Sequence, residues 1–196
     1  MHWLIKCRSK PDTDALRAAT IEAHRNFLDG YPQQTWYSGP LFSDDNQHAI
    51  GSLRLIEFAD RAAAQDYINA DPYTRAGIFA AIDIERWTPE LDIRQRDYPR
   101  QDGTMQFVMH SQDAADGEAH RAPLRAAHAD YMHAHRNILV THGPLHSDDG
   151  TRALGCVLIV DVADKAQAEA FWSREPFNAA GVYAATSIER WRFGHV

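Results

Sequence analysis

The sequence predicts an α+β fold: two tandem β-α-β-β-α-β repeats packed sheet to sheet into a barrel-like pair. Internal repetition is the first observation behind this. Shifting the chain by 104 positions lays residues 1–92 on 105–196 without a gap, with roughly 28 of the 92 pairs identical, and a repeat of that length is a domain and not a solenoid unit. Gly39-Pro40-Leu41 and Ser43-Asp44-Asp45 fall on Gly143-Pro144-Leu145 and Ser147-Asp148-Asp149, and Ile84-Glu85-Arg86-Trp87 falls on Ile188-Glu189-Arg190-Trp191. The second observation is the order of elements inside each repeat, which is that of the split βαβ, ferredoxin-like motif. The third is geometric. Two helices cover only one face of a four-stranded sheet, so the bare face must be buried elsewhere, and a second copy supplies the surface. Fusion makes that pairing intramolecular and raises its effective concentration to about the millimolar range.

The elements follow in order. Trp3–Cys7 and Phe107–Ser111 read as first strands. A helix opens near Asp12 and Asp116, with Leu16, Ala19, Ala23 and Phe27 recurring at helical spacing, as do Leu124, Ala127 and Tyr131. The next strand ends at the breaker Gly39-Pro40, and the turn-rich SDDNQ (SDDGT in the second copy) follows. The apolar runs Ser52–Phe58 and Cys156–Val162 are the third strands. Asp60 and Asp164 stand at N-cap positions before helices carrying Ala64, Tyr67, Ile68 and Ala168, Phe171, Trp172. Pro72 and Pro176 each start a short helical turn, since proline suits the first helical position. Ala81–Trp87 and Ala185–Trp191 are the last strands. This divides the chain into repeat 1 (1–94), a polar linker (95–104) and repeat 2 (105–196).

Composition narrows the partners. A net charge of −7 with both signs interspersed argues against nucleic acid or an anionic membrane. No apolar run approaches the ~20 residues needed to cross a bilayer. The N-terminus runs directly into a strand pattern without a signal-peptide core. Cys7 and Cys156 occupy non-equivalent repeat positions without metal-like spacing, so a reducing cytoplasm is expected. The partner expected is a small-molecule substrate or ligand, bound by a pseudo-dimer within one chain, with room for further homodimerisation.

Several stretches of the chain carry a resemblance. AHRNF with His24, YSGPLFSDD, GSLRLIEF and ADPYTRAGIF with Asp71 resemble a YCII-related domain, of the superfamily of dimeric α/β barrels that includes muconolactone isomerase. The second copy repeats the pattern in AHADY with His128, THGPLHSDD, GCVLIVDV and REPFNAAGVY with Glu175. The resemblance implies an intramolecular dimeric α/β barrel and a His–Asp pair as active site. A chlorohydroquinone dehydrochlorinase is among the family's members with an assigned reaction.

His24 borders the apolar stripe of its helix, and His128 repeats the placement. Such a histidine either bonds a neighbouring strand or serves as a general acid/base, because imidazole titrates near neutral pH. Asp71, just before Pro72, suits an N-cap. Its counterpart Glu175 is a weaker capper that keeps the carboxylate, which fits an orienting role beside the histidine. Its extra length is expected to place the charge differently. These four form the catalytic set. Arg54, opposite Leu158, shares strand parity with Ser52, Ile56 and Phe58. If that parity faces the enclosed cavity, Arg54 clamps a substrate carboxylate; otherwise it points to solvent. Ser38, Gly39 and His142 complete the substrate-binding set. Ser-Asp-Asp reads as turn chemistry.

Eight of the eleven histidines fall in the second copy, but no HExxH or paired-cysteine spacing accompanies them, so no metal is assigned. Nor does a phosphate loop, nucleotide fingerprint or nucleophile elbow occur, and no cofactor is expected. The leading function is a cofactor-free lyase or isomerase using a His–Asp acid/base pair on a small acidic or phenolic, ring-bearing or enolisable molecule. The alternatives are a non-catalytic ligand-binding or pathway-accessory protein and a cofactor-independent oxygenase, with haem binding known elsewhere in the superfamily. Divergence between the copies predicts unequal sites, with activity in the first.

Overall fold

Strand alternation decides how the two repeats meet. A computed structural model describes all residues, Met1–Val196. Repeat 1 contains β1 (His2–Ser9), α1 (Asp14–Leu28), β2 (Thr35–Phe42), β3 (Ala49–Glu57), α2 (Arg61–Ala70), α3 (Pro72–Arg75) and β4 (Phe79–Trp87). Repeat 2 contains β5 (Met105–Asp113), α4 (Gly117–Arg121), a 3₁₀ turn (Ala122–Leu124), α5 (Arg125–Ala134), β6 (Leu139–His146), β7 (Ala153–Val162), α6 (Lys165–Arg174), α7 (Pro176–Ala179) and β8 (Tyr183–Trp191). Successive side chains on a strand point to opposite faces. On β3, Leu53 and Leu55 enter a core shared with Val108, Val140, Val157 and Ile159 of repeat 2, while Ile56 packs under the repeat-1 helices. The bare faces therefore meet as expected. Burying each large aliphatic side chain there contributes about 1.5–3 kcal/mol.

The eight strands form one closed antiparallel barrel in the order β1-β3-β2-β8-β5-β7-β6-β4. Only two short junctions join the repeats: Leu41 and Phe42 pair with Trp191 and Arg190, and Arg86 and Trp87 pair with His146 and Leu145. Backbone beyond β4 and β8 lengthens each junction, through Thr88 N–H to Pro144 O, Glu90 N–H to His142 O, Arg192 N–H to Pro40 O and Gly194 N–H to Ser38 O.

Three expectations need correction. Gly39-Pro40 and Gly143-Pro144 do not end their strands; β2 and β6 continue to Phe42 and His146 because those carbonyls accept the junction bonds. The 95–104 segment is not merely a solvated tether. Gln95 is 1% exposed, accepting from Ser38 N–H and donating to Gly194 O, and Tyr98 joins the barrel core. The first helix differs between the copies. It is continuous over fifteen residues in repeat 1, whereas in repeat 2 Pro123, opposite Ala19, divides it into α4, a 3₁₀ turn and α5. Asp60 and Asp164 cap as predicted, each accepting at 2.8 Å from the backbone N–H three residues on. No helix is long and apolar enough to cross a membrane.

Candidate active site

Each repeat brings a histidine of its first long helix onto the carboxylate that opens its short second-half helix. In repeat 1, His24 Nδ1 lies 2.8 Å from Asp71 Oδ1, which also accepts from Tyr73 N–H at 2.8 Å. Capping and histidine contact thus share one oxygen. The other oxygen, Oδ2, takes Arg54 Nη2, and Arg54 Nη1 reaches Tyr67 Oη at 3.3 Å. The Tyr73 ring stacks on His24 with centroids 3.9 Å apart, and the Arg17 guanidinium lies 5.0 Å from the Tyr73 centroid.

Burial alone would raise the Asp71 carboxyl, but the His24 hydrogen bond and the Arg54 charge outweigh it and hold the group at about 2. Burial lowers the His24 imidazole below its ordinary value, and the Asp71 contact offsets this only in part. The pair is therefore neutral imidazole beside carboxylate near pH 7. That assigns the ring proton to Nδ1 and leaves Nε2 with its lone pair.

Repeat 2 rebuilds the same contact from different atoms. His128 Nδ1 lies 2.7 Å from Glu175 Oε1 and stacks on Phe177 at 4.1 Å. The longer glutamate does not misplace the charge. It takes two backbone donors, Phe177 N–H at 3.0 Å and Asn178 N–H at 2.8 Å, where Asp71 takes one backbone donor and a guanidinium. Leu158 occupies the Arg54 position, and Arg121 above Phe177 is paired bidentately with Asp113.

The two sites differ in access. A cavity of about 1,080 Å³ lies between α4/α5 and the outer face of β6 and β7, lined by His128, Met132, His142, His146, Cys156, Leu158 and Tyr183 among others. Glu90 and Leu91, from the segment after β4, close one side. Neither His24 nor Asp71 borders it. In repeat 1 the fully buried Arg54 side chain stands where Leu158 lines the repeat-2 cavity. His128 Nε2 makes no hydrogen bond within the chain and is not sealed from solvent.

Other assignments also change. Arg54 faces neither the barrel interior nor solvent; it is 1% exposed between sheet and helices and serves Asp71. Ser38 and Gly39 belong to the junction between repeats: Ser38 N–H donates to Gln95 and Ser38 O accepts from Gly194 N–H, and a Cβ on Gly39 would meet Arg192 O at 1.9 Å. His142 does border the cavity, 2.8 Å from Glu90. The stacking rings Tyr73 and Phe177, the arginines Arg17 and Arg121, and Glu90 were not singled out in the sequence. A signal existed for Glu90, which aligns with Gly194 and so departs between copies. Cys7 and Cys156 are free, and burial pushes the Cys156 thiol up to about 12, leaving it protonated. No three His, Cys, Asp or Glu side chains converge as a metal-ion site.

A closed antiparallel barrel of two split βαβ units is the dimeric α/β barrel fold. Within it, the chain belongs to the YCII-related domain family, whose pattern matches residues 1–88 and again 105–192. No functionally curated protein matches it. Similar solved structures include a chlorite dismutase from Candidatus Nitrospira defluvii (10% identity, 97% of this chain and 90% of that one, TM-score 0.65). A heme-binding protein from Thermus thermophilus is similar over the same shares (12% identity, TM-score 0.59). A 5-chloro-2-hydroxyhydroquinone dehydrochlorinase from Burkholderia phenoliruptrix AC1100 is 27% identical, covering 45% of this chain and 94% of that one, with a TM-score of 0.42.

Proposed function

We propose that the chain is a cofactor-free lyase or isomerase acting on a small acidic or phenolic, ring-bearing or enolisable molecule, with turnover in the repeat-2 cavity. One observation carries this reading: His128 lines a ligand-sized space with Nδ1 locked on a buried carboxylate and Nε2 without a partner in the chain. Glu175 fixes the tautomer, Phe177 fixes the ring plane, and the free lone pair is placed to take a proton from substrate. Arg136 and Arg152 border the cavity without an ion-pair partner, which favours an anionic molecule. The two free cysteines support a reducing compartment such as the cytoplasm.

A second reading is a ligand-binding protein without turnover. The observation favouring it is that capping alone accounts for both carboxylates, since Asp71 and Glu175 each hold the first amides of their short helices. One experiment separates the two. Catechols, lactones and unsaturated dicarboxylic acids are screened by thermal shift, where a compound at 100 Kd adds about 2.7 kcal/mol. Binders are then assayed for turnover with the wild type, His128→Ala and His24→Ala. His128→Ala is expected to lose about 10²- to 10⁴-fold in rate while remaining folded, and His24→Ala far less. Binding without turnover, or a larger loss from His24→Ala, overturns the proposal.

A further inference from the structure

The cavity contains a second histidine–carboxylate pair built from both repeats. His142 projects from β6 on the sheet wall, and its Nδ1 lies 2.8 Å from Glu90 Oε2. Glu90 comes from repeat 1, in the segment after β4, and is anchored by its own N–H to the carbonyl of His142 at 3.0 Å. Backbone and side chain thus tie the same two residues together twice. The equivalent positions at the other site are Ser38 and Gly194, which carry no titratable group, so the repeat-1 site has no counterpart of this pair.

The two carboxylates of the cavity are not alike. Glu175 is fully buried and divides its charge between His128 and two backbone amides. The Glu90 carboxylate forms its one ion pair with His142 and is otherwise open to the cavity and solvent. The His142 contact in turn holds the Glu90 carboxyl below its ordinary range. The cavity is thus lined by two histidines, each with Nδ1 held against a carboxylate of different origin.

We propose that His142, oriented and charged by Glu90, is a second proton-transfer group, and that the cavity enolises a small keto acid held between it and His128. This rests on the reading of His128 above. His128 Nε2 takes a proton from the carbon beside the carbonyl as that C–H bond breaks. The electron pair moves onto the carbonyl oxygen, which takes the proton from His142 Nε2. Substrate and product are isomers, no oxidant or reductant takes part, and solvent exchange returns the proton from His128 to His142. His142 is a catalytic residue in this scheme and Glu90 a positioning residue.

The test follows conversion of phenylpyruvate, a small enolisable aryl keto acid, between its keto and enol forms by absorbance, and exchange of its C3 protons in D₂O by NMR. The full chain is compared with Glu90→Gln, Glu90→Asp, His142→Gln, the double Glu90→Gln/His142→Gln and His128→Gln. The Glu90 side chain is 45% exposed, so its variants are expected to fold, and melting temperatures check this. His142→Gln is expected to lower kcat about 10²-fold, Glu90→Gln at least 10-fold with little change in KM, and Glu90→Asp less than Glu90→Gln. The double variant should be no slower than His142→Gln, because Glu90 acts through that ring. A Glu90→Gln variant at wild-type rate, or losses that multiply in the double variant, overturns the inference. If His128→Gln is inactive while His142→Gln is not, the inference falls and the proposed function stands. A wild type no faster than buffer removes both.

Discussion

Asp71 and Glu175 meet the same requirement with different atoms. A buried carboxylate has to have its lone pairs filled and its charge balanced. Aspartate reaches one backbone amide and leaves an oxygen for Arg54, whereas glutamate is long enough to span two amides and needs no arginine. The exchanges of Asp for Glu and of Arg for Leu between the copies are thus one coupled change. Arg54→Leu alone strands the Asp71 oxygen and should cost about 3–5 kcal/mol in chemical denaturation. Adding Asp71→Glu should recover at least half of that loss. Equal stability of the single and double variants would show that the coupling is absent.

Among the elements, the tightest crossings include the one where the tail of repeat 1 passes over a strand of repeat 2. A Cβ built on Gly143 would stand 1.9 Å from Thr88 O and 2.9 Å from Trp87 Nε1. The obstacle is a carbonyl held in the junction, which cannot rotate aside as a side chain would. Gly143→Ala is therefore expected to destabilise the protein by about 3 kcal/mol or more, read as a lowered urea midpoint at constant m-value. A loss below about 1 kcal/mol would mean that the junction yields easily. The same crossing places Glu90 beside His142, so a fold-closing element also completes the cavity.

For the molecule as a whole, the barrel core draws on Leu4, Tyr37, Leu53 and Leu55 from one repeat and Val108, Val140, Val157 and Ile159 from the other. The Tyr37 hydroxyl lies 2.9 Å from carbonyls of both Ile93 and Val140, spanning the interface. Neither repeat can bury this face alone, and a repeat of that length has a thin core without it. Equilibrium unfolding should be one cooperative transition, with tryptophan fluorescence and far-ultraviolet circular dichroism coinciding. Two resolved transitions would show that the repeats are stable separately.

The architecture was legible in the chain alone, whereas the pairing of each histidine with its carboxylate was what the family resemblance implied. The architecture follows from local signals repeated twice: alternation along strands, Asp60 and Asp164 at N-caps, and Pro72 and Pro176 at first helical turns. Each copy served as a check on the other, and the family resemblance rested on the same repeated residues. The face that Arg54 takes became clear only in the folded barrel, since parity says that Ser52, Arg54 and Ile56 share a side but not which side meets the helices. Folding also gave Ser38 and Gly39 to the junction, because a close approach between segments far apart in the chain leaves no mark on spacing. Which site is open is likewise a tertiary property. Cavity volume depends on the sum of many side chains and backbone shifts, here Leu158 in place of Arg54 and the helix divided at Pro123, and no single residue announces it. Glu90 shows the limit most plainly: it lies in one repeat by sequence and lines the other's cavity, where only closure of the barrel brings it.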